Sequence, residues 1–204
     1  MPKSFATRYF HEGLDELILM DSVASLYGRN QLESLVAETA REVFIPITVG
    51  GGIRSVDDVN KILRAGADKI AINTAAIASP ILISEVAKKF GSQCMVLSIE
   101  AKKNNHNSWE AFTDGGRQNS GFDVVDWAKK AVSLGAGEIL LTSVDNEGTG
   151  KGFDLDLIKA VSSVVNVPII ASGGFGDPKD AANAYSNASA DAVAIAGALH
   201  YKKI

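Results

Sequence analysis

The feature that most constrains this sequence is a short motif that occurs twice, about 122 residues apart. "IPITVGGGIRS" at 45–55 reappears as "VPIIASGGFGD" at 167–177. Each copy consists of a proline, a short apolar run, a glycine pair and a residue suited to starting a helix. The similarity extends to "AGADKIAI" at 65–72 with "ASADAVAI" at 188–195, and more faintly to "DELILMDS" at 15–22 with "GEILLTSV" at 137–144. The sequence therefore predicts two copies of one half-size unit.

Seven short apolar runs alternate with capped helical patterns along the chain. The runs are apolar on both faces, as buried parallel strands are. The predicted strands are 16–20, 45–49, 69–72, 94–99, 138–142, 167–171 and 192–196. Helix starts are predicted at Ser55, Asp123, Asp154 and Asp177, because short polar side chains there can accept the first free amides of a helix. The longer gap at 102–123 is predicted to protrude, with a hairpin around 109–112.

Aligning the two copies predicts four β-α modules in each half. Two such halves make a (βα)8 TIM barrel, so we expect one domain of this fold over residues 1–204. By the same mapping, the barrel's first strand would precede Met1 and too few residues follow the last strand for a closing helix. We therefore expect an incomplete barrel in which strand 1 and helix 8 are absent. The alternative is an open sheet of seven strands that is complete as written.

Composition limits the class of partner. The net charge is −4 with acidic and basic residues interspersed, so we expect no nucleic-acid partner. No apolar run reaches the roughly 18–20 residues that a membrane span needs, so we expect no membrane association. The single cysteine, Cys94, has no metal-ligand cluster around it, so we expect no metal, no cofactor and a cytoplasmic location.

The glycine pairs lie where parallel strands end and loops begin, which is where the active sites of such barrels are found. Backbone amides in a glycine turn can approach an anion closely, and phosphate is the anion that such turns usually bind. Two such turns predict an elongated ligand with a phosphate at each end, whereas the alternative is that the glycines only relieve crowding. The predicted binding residues are Gly51, Gly52, Asn73 and Thr74 in the first half, and Thr142, Glu147, Gly148, Ser172, Gly173, Gly174, Ala196 and Gly197 in the second.

Three charged residues, Glu16, Lys69 and Glu138, each open a predicted strand at alternate positions around the barrel. Side chains from alternate strands share a layer, so these three are expected to meet at the closed end. The alternative is three separate exposed charges at strand starts.

Five segments, "ITVGGGIRS", "GADKIAINTAA", "FGSQCMVLSIEAK", "GAGEILLTSVDNEGT" and "IIASGGFG", resemble the cyclase subunit family of imidazole glycerol phosphate synthase, from histidine biosynthesis. The resemblance implies a lyase that takes ammonia from a partner glutaminase. The ammonia attacks a bis-phosphorylated ribulosyl aminoimidazole carboxamide intermediate, which is cyclised and cleaved. The two phosphates of that substrate match the two glycine turns.

The resemblance also implies roles for particular residues. The family uses two catalytic aspartates; the first falls in the strand expected to be absent, and the second corresponds to Glu100, which is one methylene longer. Glu16, Lys69 and Glu138 correspond to a gate where ammonia enters, whose fourth member is an arginine from strand 1. Asp68 and Gln93 correspond to positions that contact the glutaminase.

Two alternative functions stay open at this point. "DSVASLYGRN" and "SIEAK" are similar to a second-copy branch of the same family that binds a glutaminase and passes ammonia on for sugar amidation. The phosphoribosyl isomerase of histidine biosynthesis shares the doubled phosphate motif, although "GEILLTSVD", "SIEAK" and the charged strand starts favour the cyclase.

Overall fold

A computed structural model of the chain describes residues 2–21, 32–104, 106 and 108–201. The strands are β1 (Leu17–Met20), β2 (Ile47–Gly50), β3 (Lys69–Ile72), β4 (Met95–Lys103), β5 (Trp109–Thr113), β6 (Gln118–Asp123), β7 (Glu138–Ser143), β8 (Ile169–Ser172) and β9 (Ala192–Ala194). The helices are α1 (Pro2–His11), α2 (Leu32–Thr39), α3 (Val56–Ala65), α4 (Thr74–Ala78), α5 (Ile81–Phe90), α6 (Val124–Leu134), α7 (Leu155–Ser162), α8 (Pro178–Ala188) and α9 (Gly197–His200), with a 3₁₀ turn at Ser92–Cys94.

The main sheet has seven strands in the order β1-β2-β3-β4-β7-β8-β9, and every neighbouring pair is parallel. All seven predicted strands are present. The observed starts lie within two residues of the predicted ones, and each long connection carries a helix. A run of parallel strands with helical crossovers is the repeating unit of a (βα)8 barrel. The predicted fold class is confirmed.

The sheet curls around a small interior of its own. Ala71, Val96, Leu140 and Ile170 form one buried cluster, and Ile18 of β1 and Ala194 of β9 both pack against it. Within the described residues β1 and β9 do not pair with each other. The two ends of the sheet are nevertheless brought together by their helices.

The contact between these ends runs from α1 to α9. The Tyr9 hydroxyl and His200 Nδ1 lie 2.6 Å apart, and the Phe5 ring meets the His200 ring edge-on with centroids 4.9 Å apart. One guanidinium nitrogen of Arg8 reaches the Leu199 carbonyl at 3.5 Å. His200 therefore has a packing role between α1 and α9.

The larger core lies between the outside of the sheet and the helices. Trp127, Val36, Ile83, Leu157 and Ile169 are among its fully buried side chains. Burial of this kind is the main favourable term in folding, at about 25 cal/mol per Å² of apolar surface. None of the described helices has the length and apolar character that crossing a membrane requires.

The helix starts read from the sequence are confirmed. Ser55 accepts the Asp58 amide, Asp123 accepts the amides of Val125 and Asp126, and Asp154 accepts that of Leu157. Asp177 forms a full capping box with Asp180 at the start of α8. Each cap satisfies amides that have no partner inside their helix.

The two halves of the chain share hydrogen bonds as well as sequence motifs. Asp68 Oδ2 accepts the Ile47 amide at 2.8 Å, and Asp191 Oδ2 accepts the Ile169 amide at 2.8 Å. The backbone after β3 and β9 also matches, with φ/ψ of −117°/−84° at Asn73 and −121°/−63° at Ala196. Equivalent positions of the two halves therefore adopt the same local structure.

The segment between β4 and α6 forms the predicted hairpin. β5 and β6 pair antiparallel, and β5 also pairs antiparallel with the end of β4, which extends beyond the sheet to Lys103. Glu100 lies at this branch point, because it is opposite Thr142 of β7 on one side and Phe112 of β5 on the other. The hairpin therefore begins at the carboxyl end of β4, next to the predicted site.

Candidate active site

Two glycine turns lie at the same end of the parallel sheet. Gly51 and Gly52 follow β2 directly, and Gly173 and Gly174 follow β8 directly, with φ of 100°, 71°, 88° and 107° in that order. Because β2 and β8 run parallel within one curled sheet, both turns emerge at its carboxyl end. The two motifs therefore lie at the same end of the sheet, and their joint binding of one ligand stays a prediction.

The first glycine of each turn is required by a close approach of backbone. A Cβ at Gly51 would overlap the Asp21 carbonyl oxygen, and one at Gly173 would overlap that of Ser143. Both positions also have a left-handed backbone conformation that favours glycine. The glycines thus relieve crowding, as the alternative interpretation predicts.

The amides of Gly51, Gly52, Gly173 and Gly174 donate to none of the described residues. Gly173 and Gly174 are also buried, whereas Gly51 and Gly52 are partly exposed. A buried amide without an acceptor is costly, so native structures rarely keep one. A bound anion would give the buried amides of Gly173 and Gly174 the acceptor that none of the described residues provides.

Asn73 and Thr74 lie beside the first turn, after β3. Their side chains contact the hairpin: Asn73 Nδ2 donates to the Phe112 carbonyl at 2.9 Å, and Thr74 Oγ1 accepts the Asp114 amide at 3.1 Å. The Thr74 hydroxyl keeps its own proton for a further acceptor. Asn73 also donates to Glu100, which links the predicted phosphate residues to the predicted catalytic residue.

Glu100 is a half-buried carboxylate held at one oxygen. Its Oε2 accepts the Gly116 amide at 2.6 Å and Asn73 Nδ2 at 3.1 Å. Among the described residues, Oε1 accepts no hydrogen bond, and this oxygen is not one of the fully enclosed unpaired atoms. One oxygen is therefore fixed and the other is left to interact at the mouth.

The pKa of Glu100 lies above its ordinary value. Burial is the largest cause, because it disfavours the charged form, and the Asp114 carboxylate raises the pKa further. The Gly116 amide, Asn73 and the Arg117 guanidinium act in the opposite direction without cancelling the rise. A carboxyl whose pKa is raised towards neutrality is better suited to both taking up and releasing a proton.

The second turn is covered by the loop that follows β7. The Gly152 amide donates to the Gly174 carbonyl at 2.8 Å, and Asn146 Nδ2 donates to the Gly152 carbonyl at 2.9 Å. Glu147 Oε2 lies 3.2 Å from the point that a Cβ at Gly173 would occupy. A carboxylate there competes with a phosphate for the same turn, so the structure does not favour Glu147 as a phosphate ligand.

The other predicted residues of the second half lie around the same mouth. Thr142 and Ser172 are opposite each other at the ends of β7 and β8 and are half-buried. Gly148 is exposed in the covering loop, and Ala196 and Gly197 begin α9. The structure brings these residues to the carboxyl end of the sheet.

The three predicted floor charges meet at the opposite end of the sheet. Lys69 Nζ donates to Glu16 at 3.0 and 3.2 Å and to Glu138 Oε2 at 2.9 Å. The side chains of Lys69 and Glu138 are 19% and 15% exposed, whereas that of Glu16 is 40% exposed. The alternative of three separate surface charges is wrong.

Lys69 holds its charge despite partial burial. Burial alone lowers the pKa of the ammonium, but hydrogen bonds and charge from Glu138 and Glu16 outweigh it, so the pKa lies above its ordinary value. The ammonium ion is therefore the stable form of Lys69 across the neutral range.

Asp68 and Gln93, the predicted partner contacts, are both used within the chain. Asp68 fixes the start of β2 through the Ile47 amide, and its counterpart Asp191 does the same for β8. Gln93 Nε2 donates to the Phe90 carbonyl at the end of α5, at 3.3 Å. A structural role therefore accounts for Asp68, and contact with a partner stays a prediction.

The hairpin turn 114–117 is the part of the site that sequence reasoning missed. Its backbone supplies one of the two hydrogen bonds to Glu100 and the one to Thr74. The local signal was the "DGG" at 114–116, which is typical of a tight turn but does not indicate what the turn contacts. The segment "DSVASLYGRN" beyond Asp21 lies outside the described residues.

Fold and site together define a barrel of doubled β-α halves, with two glycine turns and a half-buried carboxylate at its mouth. A family profile described as histidine biosynthesis protein matches residues 1–204.

Similarity to individual proteins identifies the family within this class. The chain is 63% identical over 175 residues to imidazole glycerol phosphate synthase subunit HisF of Legionella pneumophila, covering 86% of this chain and 82% of the relative. It is 49% identical over 205 residues to the protein of the same name from Prochlorococcus marinus (strain MIT 9312), covering 100% of this chain and 80% of the relative. The subunit HisF of Streptococcus mutans serotype c (strain ATCC 700610 / UA159) is 48% identical over 203 residues, with 100% and 81% covered. The chain belongs to the family of imidazole glycerol phosphate synthase subunit HisF.

Proposed function

We propose that this chain is the cyclase subunit of imidazole glycerol phosphate synthase, a lyase of histidine biosynthesis. The family to which it belongs supports this activity. The structural observation that carries the proposal is the pair of matched glycine turns on either side of Glu100, whose amides donate to none of the described residues. We place the reaction in the cytoplasm, where a buried free thiol such as Cys94 stays reduced.

The substrate in this proposal is the bis-phosphorylated ribulosyl aminoimidazole carboxamide intermediate. One phosphate would bind the amides of Gly51 and Gly52 with the Thr74 hydroxyl alongside, and the other those of Gly173 and Gly174. The second phosphate would take the place of the Glu147 carboxylate and provide the buried amides with an acceptor that none of the described residues supplies. Fixing both ends holds the reacting centre of the ligand over the barrel mouth.

Glu100 acts on the ligand between the turns as a general acid and base. Its raised pKa suits a group that must carry the proton in one step and give it up in another. The side chain is one methylene longer than that of aspartate. At this length, Oε2 accepts hydrogen bonds from both the Gly116 amide and Asn73 Nδ2.

Ammonia would enter from the opposite end, through the Lys69, Glu16 and Glu138 cluster. The ion pairs occupy the floor of the curled sheet, directly below the interior formed by Ala71 and its neighbours. A glutaminase docked on that end would deliver ammonia to the cluster, which must open for each passage.

The proposal is tested by turnover of the ribulosyl substrate with an ammonium salt, with and without a glutaminase and glutamine. We expect turnover by the wild-type chain and a loss of about 100-fold or more in Glu100→Gln, the range typical of a removed acid–base group. Lys151→Gln, an exposed change in the loop after β7, serves as the control with wild-type turnover.

A second candidate is the ammonia-passing paralogue without its own cyclase activity, favoured by the glutamate at position 100. It predicts a chain that binds the glutaminase and stimulates glutamine hydrolysis but turns over no ribulosyl substrate from ammonium salt. Stimulation without turnover would therefore overturn the cyclase proposal in favour of this one.

A further inference from the structure

The hairpin turn 114–117 contacts groups of the site that matter for its chemistry. It donates the Gly116 amide to Glu100 Oε2 at 2.6 Å and the Asp114 amide to Thr74 Oγ1 at 3.1 Å. The preceding strand β5 accepts Asn73 Nδ2 at the Phe112 carbonyl. The hairpin is thereby tied to the mouth by side chains of two neighbouring barrel strands.

The close approach of the turn depends on a glycine. Gly116 has φ of 74°, and a Cβ there would lie 3.2 Å from both terminal methyl groups of Val144. Contacts at that distance are tighter than side chains normally make, so alanine would push the turn away from the barrel. The Gly116 amide would move with it, and the 2.6 Å hydrogen bond to Glu100 would lengthen.

The turn also brings two opposite charges to the carboxylate. The Asp114 carboxylate and the Arg117 guanidinium lie on either side of Gly116, and both act on Glu100 through charge. Arg117 is exposed, and Asp114 has φ of 52°, a left-handed conformation that asparagine also tolerates well.

We propose that the turn 114–117 is a positioning element for Glu100, in which the Gly116 amide fixes Oε2 and so reserves Oε1 for proton exchange with the substrate. The Asp114 and Arg117 charges act on the same carboxyl in opposite directions and more weakly than its burial does. The inference rests on the proposed cyclase function for its catalytic consequence, but not for its effect on Glu100 itself.

The primary measurement is NMR titration of the Glu100 side-chain carboxyl carbon in the isolated chain, with Glu100→Gln used to assign the signal. In Gly116→Ala the titration is expected to move to higher pH, because a hydrogen bond that favours the charged form is lost. Gly121→Ala is the matched control, since Gly121 lies in the same hairpin with φ of 77° and has nothing within 4 Å of an added Cβ. It is expected to titrate as the wild type does.

Two charge-removing substitutions in the turn are expected to shift the Glu100 titration in opposite directions. They test the inference even if Gly116→Ala does not fold. Arg117→Gln removes a positive charge and moves the Glu100 titration to higher pH, and Arg117→Lys restores it. Asp114→Asn removes a negative charge and moves the titration to lower pH. If the hairpin had only a structural role, the two substitutions would not move the Glu100 titration in opposite directions.

Turnover provides the catalytic readout. Gly116→Ala is expected to lower kcat about tenfold, the value of one hydrogen bond to a charged group, with KM unchanged because the glycine turns are untouched. Its pH–rate limb should follow the NMR titration. Wild-type titration in folded Gly116→Ala, or in both Arg117→Gln and Asp114→Asn, would overturn the inference. Absence of turnover in the wild-type chain would instead overturn only the proposed function.

Discussion

Replacement of Lys69 by methionine is the perturbation that tests the charged floor most sharply. Methionine keeps most of the length of the unbranched side chain but leaves the carboxylates of Glu16 and Glu138 facing each other without the ammonium. Losing one partner of a fully buried pair costs about 3–5 kcal/mol, whereas exposed pairs contribute about 0–1 kcal/mol. Exposed fractions of 19% for Lys69, 15% for Glu138 and 40% for Glu16 place this cluster between the two cases.

We therefore expect Lys69→Met to lower the free energy of unfolding by about 1–3 kcal/mol at pH 7. For a chain of this size that corresponds to a fall in Tm of about 2–12 °C. Because the pKa of Lys69 is raised in the folded state, the stabilisation is fully present below the ordinary value of 10.5 and is lost as pH rises through the folded value. On the alkaline side of neutrality, the difference in unfolding free energy between the two proteins should shrink only in that range.

Urea unfolding followed by circular dichroism measures the effect, and a double-mutant cycle isolates each pair. The cycle of Lys69→Met with Glu138→Gln should give a coupling of about 1–2 kcal/mol, and that with Glu16→Gln a smaller one. Salt should weaken the Glu16 coupling more than that of Glu138, because Glu16 is the more exposed carboxylate. A coupling near zero for Glu138 would refute the reasoning, since it would make the three charges energetically independent.

Two further predictions concern single side chains. Asp68→Ala and Asp191→Ala should each lower the free energy of unfolding by about 1–3 kcal/mol in urea melts, because each leaves a strand amide without its acceptor; wild-type stability in Asp68→Ala would instead support a role in partner contact alone. Glu100→Gln should match or exceed wild-type stability at pH 7, because ionising a half-buried carboxyl whose pKa is raised opposes folding. That difference should disappear below pH 4.5 in the same melts, and a loss of stability at pH 7 would contradict the burial argument.

The sequence was sufficient for the fold because its strongest signals are local and repeated. The glycine turns, the strand runs and the caps at Ser55, Asp123 and Asp177 each depend on a few neighbouring residues. The meeting of Glu16, Lys69 and Glu138 followed from strand order alone, since alternate strands of a barrel share layers.

What the sequence could not provide is contact between segments far apart in the chain. The Gly116 amide reaches Glu100 across the whole hairpin, and that distance depends on how β4 and β5 pair. The family resemblance assigned Asp68 to a partner contact, and its hydrogen bond to Ile47 depends on strand register, which the sequence does not show. Its repetition as Asp191 was the available signal, because a residue kept in both halves serves the fold they share.

The central claim is that the two glycine turns bind the two ends of one ligand, and amide chemical shifts test it most directly. An open-chain sugar bisphosphate, added to ¹⁵N-labelled chain, should shift the amides of Gly51, Gly52, Gly173 and Gly174 together, with one Kd for all four. The corresponding monophosphate should bind more weakly, by about tenfold or more, because it leaves one turn without an anion. Response of only one turn, or equal affinity for the two ligands, would contradict the account.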